Sequence, residues 1–196
     1  MAFTATVIGC DEWGAAPPAQ DFELTRPRWI VIHHTTSPNP PRDHSQGTLA
    51  GAIGLAREIQ QDHMTGRGWP DSGQNFLNTT GGFLLEGRHG SLDAVRAGRC
   101  VRSTHATSSH GKIPGGNDSA GIENEGNFAT TAMEPVQWSS LVDLCTSLCD
   151  SLALEPAAIK GHRDFTDTDC PGDWLYAQLP RLRLEVERRL AASSPS

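Results

Sequence analysis

Trp29-Ile-Val-Ile-His-His34 is the stretch on which the reading of this chain turns. Ile30, Val31 and Ile32 are consecutive β-branched residues, stiff at χ1 and suited to a pleated surface. A short apolar run of this kind, without alternation, reads as a buried strand. His33 falls near its end, where the chain leaves the sheet for the proline-rich loop Ser37–Asp43 (SPNPPRD).

Working outward, Thr48 opens a helix whose stripe is Leu49, Ala52, Ile53, Ala56, Ile59 and His63, ending near Gly66. Asn75–Thr80 and Phe83–Glu86 form two strands joined through Gly81-Gly82, a hairpin signal. Ser119–Glu125 is a further strand, with Ile122 facing away from Glu123 and with Glu123 and Glu125 on one side. Trp138, Leu141, Val142, Cys145, Leu148, Cys149 and Leu152 make the cleanest helical stripe. Ala158–Gly161 is a short strand. Trp174–Tyr176 gives one or two helical turns and Arg181–Leu190 a last helix, with Pro180 near its start. Strands and helices interleave, which predicts a single α/β domain over residues 1–190 with one central sheet, followed by a disordered tail at 191–196.

Composition narrows the function. The 196 residues carry 16 Lys+Arg against 23 Asp+Glu, a net charge of −7, which argues against a general nucleic-acid binder. With 37% apolar and 20% charged residues the chain is not mainly disordered, and its longest apolar runs are far too short to span a membrane. Met1–Asp11 has neither a basic start nor the apolar run of roughly 7–15 residues that a secretory leader needs. A cytosolic protein, a phage-type protein and a mature secreted one all fit that observation.

The chemistry centres on His33, His162 and Cys170, the last two bounding His162-Arg-Asp-Phe-Thr-Asp-Thr-Asp-Cys170. Two imidazoles and a thiolate suit zinc, and three protein ligands leave the fourth tetrahedral position open, as in catalytic sites. The intervening loop is long enough to fold back onto one ion. Cys145 and Cys149, by contrast, lie on the apolar stripe and read as core thiols. Cys10 and Cys100 are able to pair in an oxidising compartment, which sequence does not decide. His162-Arg163-Asp164 resembles a kinase catalytic loop, but no Asn follows at the required offset and no DFG lies downstream.

Several segments, in order along nearly the whole chain, resemble the N-acetylmuramoyl-L-alanine amidases of the peptidoglycan recognition protein and phage lysozyme-type amidase superfamily. They are Trp13-Gly-Ala-Ala-Pro-Pro18, Val31-Ile-His-His-Thr35, Ile59–Met64, Gly68-Trp-Pro-Asp71, Gly73-Gln-Asn-Phe76, Leu85-Glu-Gly-Arg88, Gly161-His-Arg-Asp164 and Cys170-Pro-Gly172. The resemblance implies a central mixed β-sheet flanked by helices, with His33, His162 and Cys170 as Zn2+ ligands. It favours His33 over His34, because the first histidine after the apolar run occupies the ligand position; adjacent strand residues face opposite sides, so the two do not share an ion, and His34 is left beside the substrate. Thr168 falls where family amidases carry a Thr or Lys near the scissile group. Thr104-His105-Ala106 resembles the cleft segment next to the substrate, and Arg88 occupies a position associated with the peptide stem.

One departure stands at position 74. Many family enzymes have a Tyr there, whereas this chain has Gln74, and its only tyrosine is Tyr176. Gly121-Ile-Glu-Asn-Glu-Gly126 resembles the strand of cytosolic anhydromuropeptide amidases that supplies a glutamate base, which makes Glu123 the candidate base and Gln74 and Thr168 candidate oxyanion donors. The expectation is a monomeric zinc amidase cutting the lactyl–L-alanine amide of bacterial peptidoglycan or muropeptides, with no nucleic acid or membrane partner. A mature secreted or phage-type lysis protein is favoured over a cytoplasmic recycling enzyme. The alternative, favoured by Gln74, is a peptidoglycan-binding recognition protein without hydrolysis.

Overall fold

The computed structural model describes residues 2–193. The β-branched run forms β2 (Ile30–His34), all five residues buried, next to the middle of a five-stranded sheet. The other members are β3 (Phe76–Asn78), β4 (Leu84–Glu86), β6 (Ala120–Asn124) and β7 (Ile159–Gly161), in the order β4-β3-β6-β2-β7. β3, β6, β2 and β7 run parallel, and β4 is antiparallel to β3 through the hairpin at Gly81-Gly82. The sheet is therefore mixed. A two-stranded ribbon pairs β1 (Leu24–Thr25) with β5 (Cys100–Val101).

Helices α1 (Cys10–Trp13), α2 (Leu49–Gln61), α3 (Ser91–Arg96), α4 (Pro135–Leu152) and α5 (Asp173–Ser193) complete the fold. Ile30, Ile32, Phe76, Ile122 and Ile159 leave one face of the sheet and form the main core with Leu141, Leu144 and Leu148 of α4 and Leu175, Leu179, Leu182 and Val186 of α5. Cys145 and Cys149 belong to this core. On the opposite face, Leu77 and Leu85 are covered by Trp13 of α1 and by Ala52, Leu55 and Ala56 of α2. Val31 is covered separately, by Ala106 and Phe165. Between these two covers the sheet lies open. Cys10 and Cys100 sit in different core clusters, each as a free thiol.

Thr48 caps α2, its hydroxyl accepting from the Gly51 amide at 3.1 Å. The helix does not run unbroken to Gly66: a π turn, Asp62–Gly66, takes over and carries His63. Leu49, expected on the apolar stripe, is 45% exposed.

The C-terminal expectation needs correcting. Trp174–Tyr176 and Arg181–Leu190 are parts of one helix, α5, with Pro180 inside it. An interior proline costs roughly 3 kcal/mol. Burying Leu175, Leu179, Leu182 and Val186 is worth about 1.5–3 kcal/mol for each side chain, so packing wins. The helix also takes in 191–193, the first half of the expected tail; residues 194–196 lie outside the described residues.

Candidate metal centre and catalytic cleft

Three of the parallel strands deliver the site at or next to their C-terminal ends, where open α/β sheets present their crevices. His33 is on β2, opposite Glu123 on β6. His162 directly follows β7, whose Gly161 pairs with Ile32. The two imidazole centroids are 4.4 Å apart. Cys170 returns to them because the loop after His162 is tied down at several points. The Arg163 amide donates to the Cys170 carbonyl at 3.1 Å. Asp164 accepts from the Gly161 amide at 2.9 Å and from the Tyr176 hydroxyl at 2.7 Å. The Arg163 guanidinium lies 4.7 Å from the Tyr176 ring centroid and donates to Asp173 at 2.8 Å.

Cys170 Sγ ends 3.7 Å from His33 Nδ1, and donor atoms of His33, His162 and Cys170 lie within 4.8 Å of one another. Zinc bonds of about 2.05 Å to nitrogen and about 2.3 Å to sulfur, at a tetrahedral angle, place two such donors roughly 3.6 Å apart. The residues fit the ion in number, type and spacing. Burial lowers the His162 pKa to about 4 and holds His33 well below the ordinary imidazole value, the neighbouring His105 and His162 adding to the effect. Both rings are thus neutral, the state a metal binds. Burial pushes the Cys170 thiol up, Glu123 adding to the shift against the His34 amide and Arg163, so without a cation it keeps its proton.

A cleft of about 550 Å3 opens over this cluster. Glu123 lines it without a hydrogen-bond or ion-pair partner among the described residues. Burial raises its pKa to about 7, with Arg67 pulling the other way. Gln74 is 2% exposed and lines the same cleft, its Oε1 without a partner among the described residues. Thr168 Oγ1 accepts from the Cys170 amide at 3.2 Å, which leaves its own hydrogen free. His34 also lines the cleft, but its Nδ1 is engaged by the Phe128 amide at 3.2 Å. His105 borders the cleft against His33.

Two sequence expectations end elsewhere. Arg88 is 2% exposed and does not line the cleft. Its Nε, Nη1 and Nη2 donate to Ser72 O, Arg102 O and Thr104 Oγ1 at 2.8–2.9 Å, clasping three loops together. Glu125 does not share Glu123's surroundings. It lies just past the end of β6, fully buried, and accepts from the amide and hydroxyl of Ser45 and from the Thr80 amide.

The far wall comes from α2 and the π turn, and no role was read for it from sequence. It carries Glu58, Asp62, His63 and Arg67, with Trp69 beyond. His63 Nδ1 accepts from the Gly73 amide at 3.0 Å, and its ring centroid lies 4.7 Å from that of Trp69, the two planes tilted by 38°. The available signal was the i, i+4 spacing of Leu55, Ile59 and His63, which puts a polar ring at the end of an apolar stripe.

Residues 23–173 match the family model described as N-acetylmuramoyl-L-alanine amidase. The N-acetylmuramoyl-L-alanine amidase of Sus scrofa is 29% identical over 96% of this chain, which spans only 31% of that protein's own length. Peptidoglycan recognition protein 1 of Bos indicus is 30% identical, with 87% of this chain and 80% of that protein covered. Drosophila PGRP-LB superposes with a TM-score of 0.71 at 25% identity, covering 90% of this chain and 93% of the fly structure.

Proposed function

Since the chain belongs to the N-acetylmuramoyl-L-alanine amidase family, we propose that it is a zinc-dependent amidase that hydrolyses the amide joining the lactyl group of N-acetylmuramic acid to L-alanine in bacterial peptidoglycan. The observation that carries this reading is the meeting of two imidazoles and a thiol beside a carboxylate with no partner among the described residues, all in one open cleft.

His33, His162 and Cys170 hold the ion in this reading. Zinc bound there supplies Lewis-acid polarisation of the scissile carbonyl and acidifies water near neutral pH. Glu123 takes a proton from the attacking water and returns it to the leaving amine, so that the C–N bond breaks to a lactyl carboxylate and a free L-alanine amine. Its position in a desolvated cleft, with a pKa near neutrality, suits both transfers. The Thr168 hydroxyl and the Gln74 amide donate to the developing oxyanion, as fixed dipoles that need no reorganisation. His34 and His105 border the substrate's reacting end.

A second reading, a peptidoglycan-binding protein without hydrolysis, is favoured by Gln74 in the place of the family's tyrosine. The two separate on purified sacculi. An amidase loaded with zinc releases soluble peptides bearing a free N-terminal L-alanine, and chelation abolishes the release. A recognition protein sediments with the sacculi and releases nothing. Mass spectrometry of the digest reports the bond cut.

A further inference from the structure

His33 turns one ring nitrogen toward the donor cluster, and a second histidine accounts for the other. Its Nδ1 faces Cys170, while its Nε2 lies 2.9 Å from Nδ1 of His105. The His105 ring continues the series, with Nε2 3.0 Å from the carbonyl oxygen of Ser119. A carbonyl only accepts, so the hydrogen there belongs to His105 Nε2. Among the described residues His105 hydrogen-bonds to no carboxylate, and a neutral imidazole that carries its hydrogen on Nε2 has none on Nδ1. Its Nδ1 is therefore bare and only accepts. The hydrogen between the two rings belongs to His33 Nε2, and the lone pair of His33 is on Nδ1, toward Cys170.

The seat of the His105 ring is built into β6. Gly121 pairs with Val31 of β2, and a Cβ at position 121 would stand 2.4–2.6 Å from three atoms of the His105 ring. Only glycine leaves room for the ring against the sheet. The Gly121 amide is itself held by Asn75 Oδ1 at 2.9 Å. At the other end, Ser119 is fixed by its amide to the Gly116 carbonyl and by its hydroxyl to the Gly115 carbonyl.

We propose that His105 is a positioning residue, which locks His33 in the tautomer that presents Nδ1 to a metal ion, and that Gly121 is glycine in order to seat it. The inference rests on the metal-binding reading of the His33, His162 and Cys170 cluster. A second histidine interposed between ligand and carbonyl sets orientation and basicity together, the way outer partners of ligating histidines do.

Nitrogen-15 NMR of the metal-free protein reads the tautomer directly. Wild-type His33 is expected as the Nε2–H form, and His105→Ala as a mixture of both forms. Zinc affinity, measured by competition with a chromophoric chelator, should fall about 10–100-fold in His105→Ala. Gly121→Ala should weaken zinc binding in the same direction although it removes no hydrogen-bonding group. His105→Gln, whose amide accepts with one atom and donates with the other, should restore the Nε2–H form and most of the affinity; it also serves as the folded comparison if the alanine variant fails to fold. An Nδ1–H tautomer in the wild type, or a folded His105→Ala that binds zinc within twofold of wild type, overturns the proposal. Absence of zinc binding by the wild type instead overturns the metal-site reading, and the tautomer measurement still decides the role of His105.

Discussion

His33 and Glu123 stand opposite each other in parallel register on β2 and β6, so an imidazole and a carboxylate leave the same face of the sheet side by side. Their neighbours one step back, Ile32 and Ile122, point into the main core on the other face. The period of two along each strand thus delivers an imidazole of the candidate metal centre and a carboxylate to one cleft.

Glu123→Gln keeps the shape of the cleft and removes the proton acceptor. Zinc content should stay at the wild-type level, while kcat on muropeptides falls roughly 10²–10⁴-fold. Turnover near the wild-type rate with zinc retained would remove Glu123 from the mechanism.

The pH profile follows from the same carboxyl. Burial holds its pKa near 7, and the base works only when deprotonated, so kcat/KM should fall about tenfold per pH unit on the acid side. A bound divalent cation favours the charged carboxylate, so the limb belongs at or below about pH 7. The Arg67 charge also pulls this pKa down. Arg67→Ala should therefore move the acid limb to higher pH, and a limb that stays in place would show that another group titrates.

Zinc uptake should release more than one proton at pH 7, one from Cys170 and a further fraction from Glu123, whose carboxyl is partly protonated until a cation is near. His33 and His162 are already neutral, whereas burial keeps the Cys170 thiol protonated until the cation displaces its proton. Calorimetry in two buffers of different ionisation enthalpy counts the protons. Cys170→Ser should bind zinc far more weakly and release less than the wild type.

Arg88→Ala should act on stability rather than on substrate affinity. It leaves the Ser72 and Arg102 carbonyls and the Thr104 hydroxyl without their buried donor, a loss of about 3 kcal/mol or more in urea unfolding. Where the variant remains folded, its KM for muropeptides should match wild type. A raised KM with unchanged stability would return Arg88 to the peptide stem.

Much of the architecture was legible because it depends on local pattern. The β-branched run of β2, the hairpin glycines before β4, the Thr48 cap and the α4 stripe each reflect a rotamer, turn or periodicity preference acting over a few residues. Pro180 misled because its local cost is outweighed by side chains that meet α4 and the sheet only in the folded chain. Glu125 misled similarly: alternation put it with Glu123, but the chain leaves β6 at Asn124 and turns its carboxylate to Ser45 and Thr80.

The residue types alone determined that this chain is an acidic α/β protein with strands, helices and a zinc-compatible His, His and Cys set in recognisable order. Which nitrogen of His33 faces Cys170, why Gly121 has no side chain, that Arg88 is a buried clasp, and that Glu123 meets no partner among the described residues were decided only in three dimensions. Backbone preference is set by near neighbours in sequence. Desolvation, hydrogen-bond partners and ligand geometry are set by residues from 14 to 137 positions away, brought together by loops and by the crossing of parallel strands.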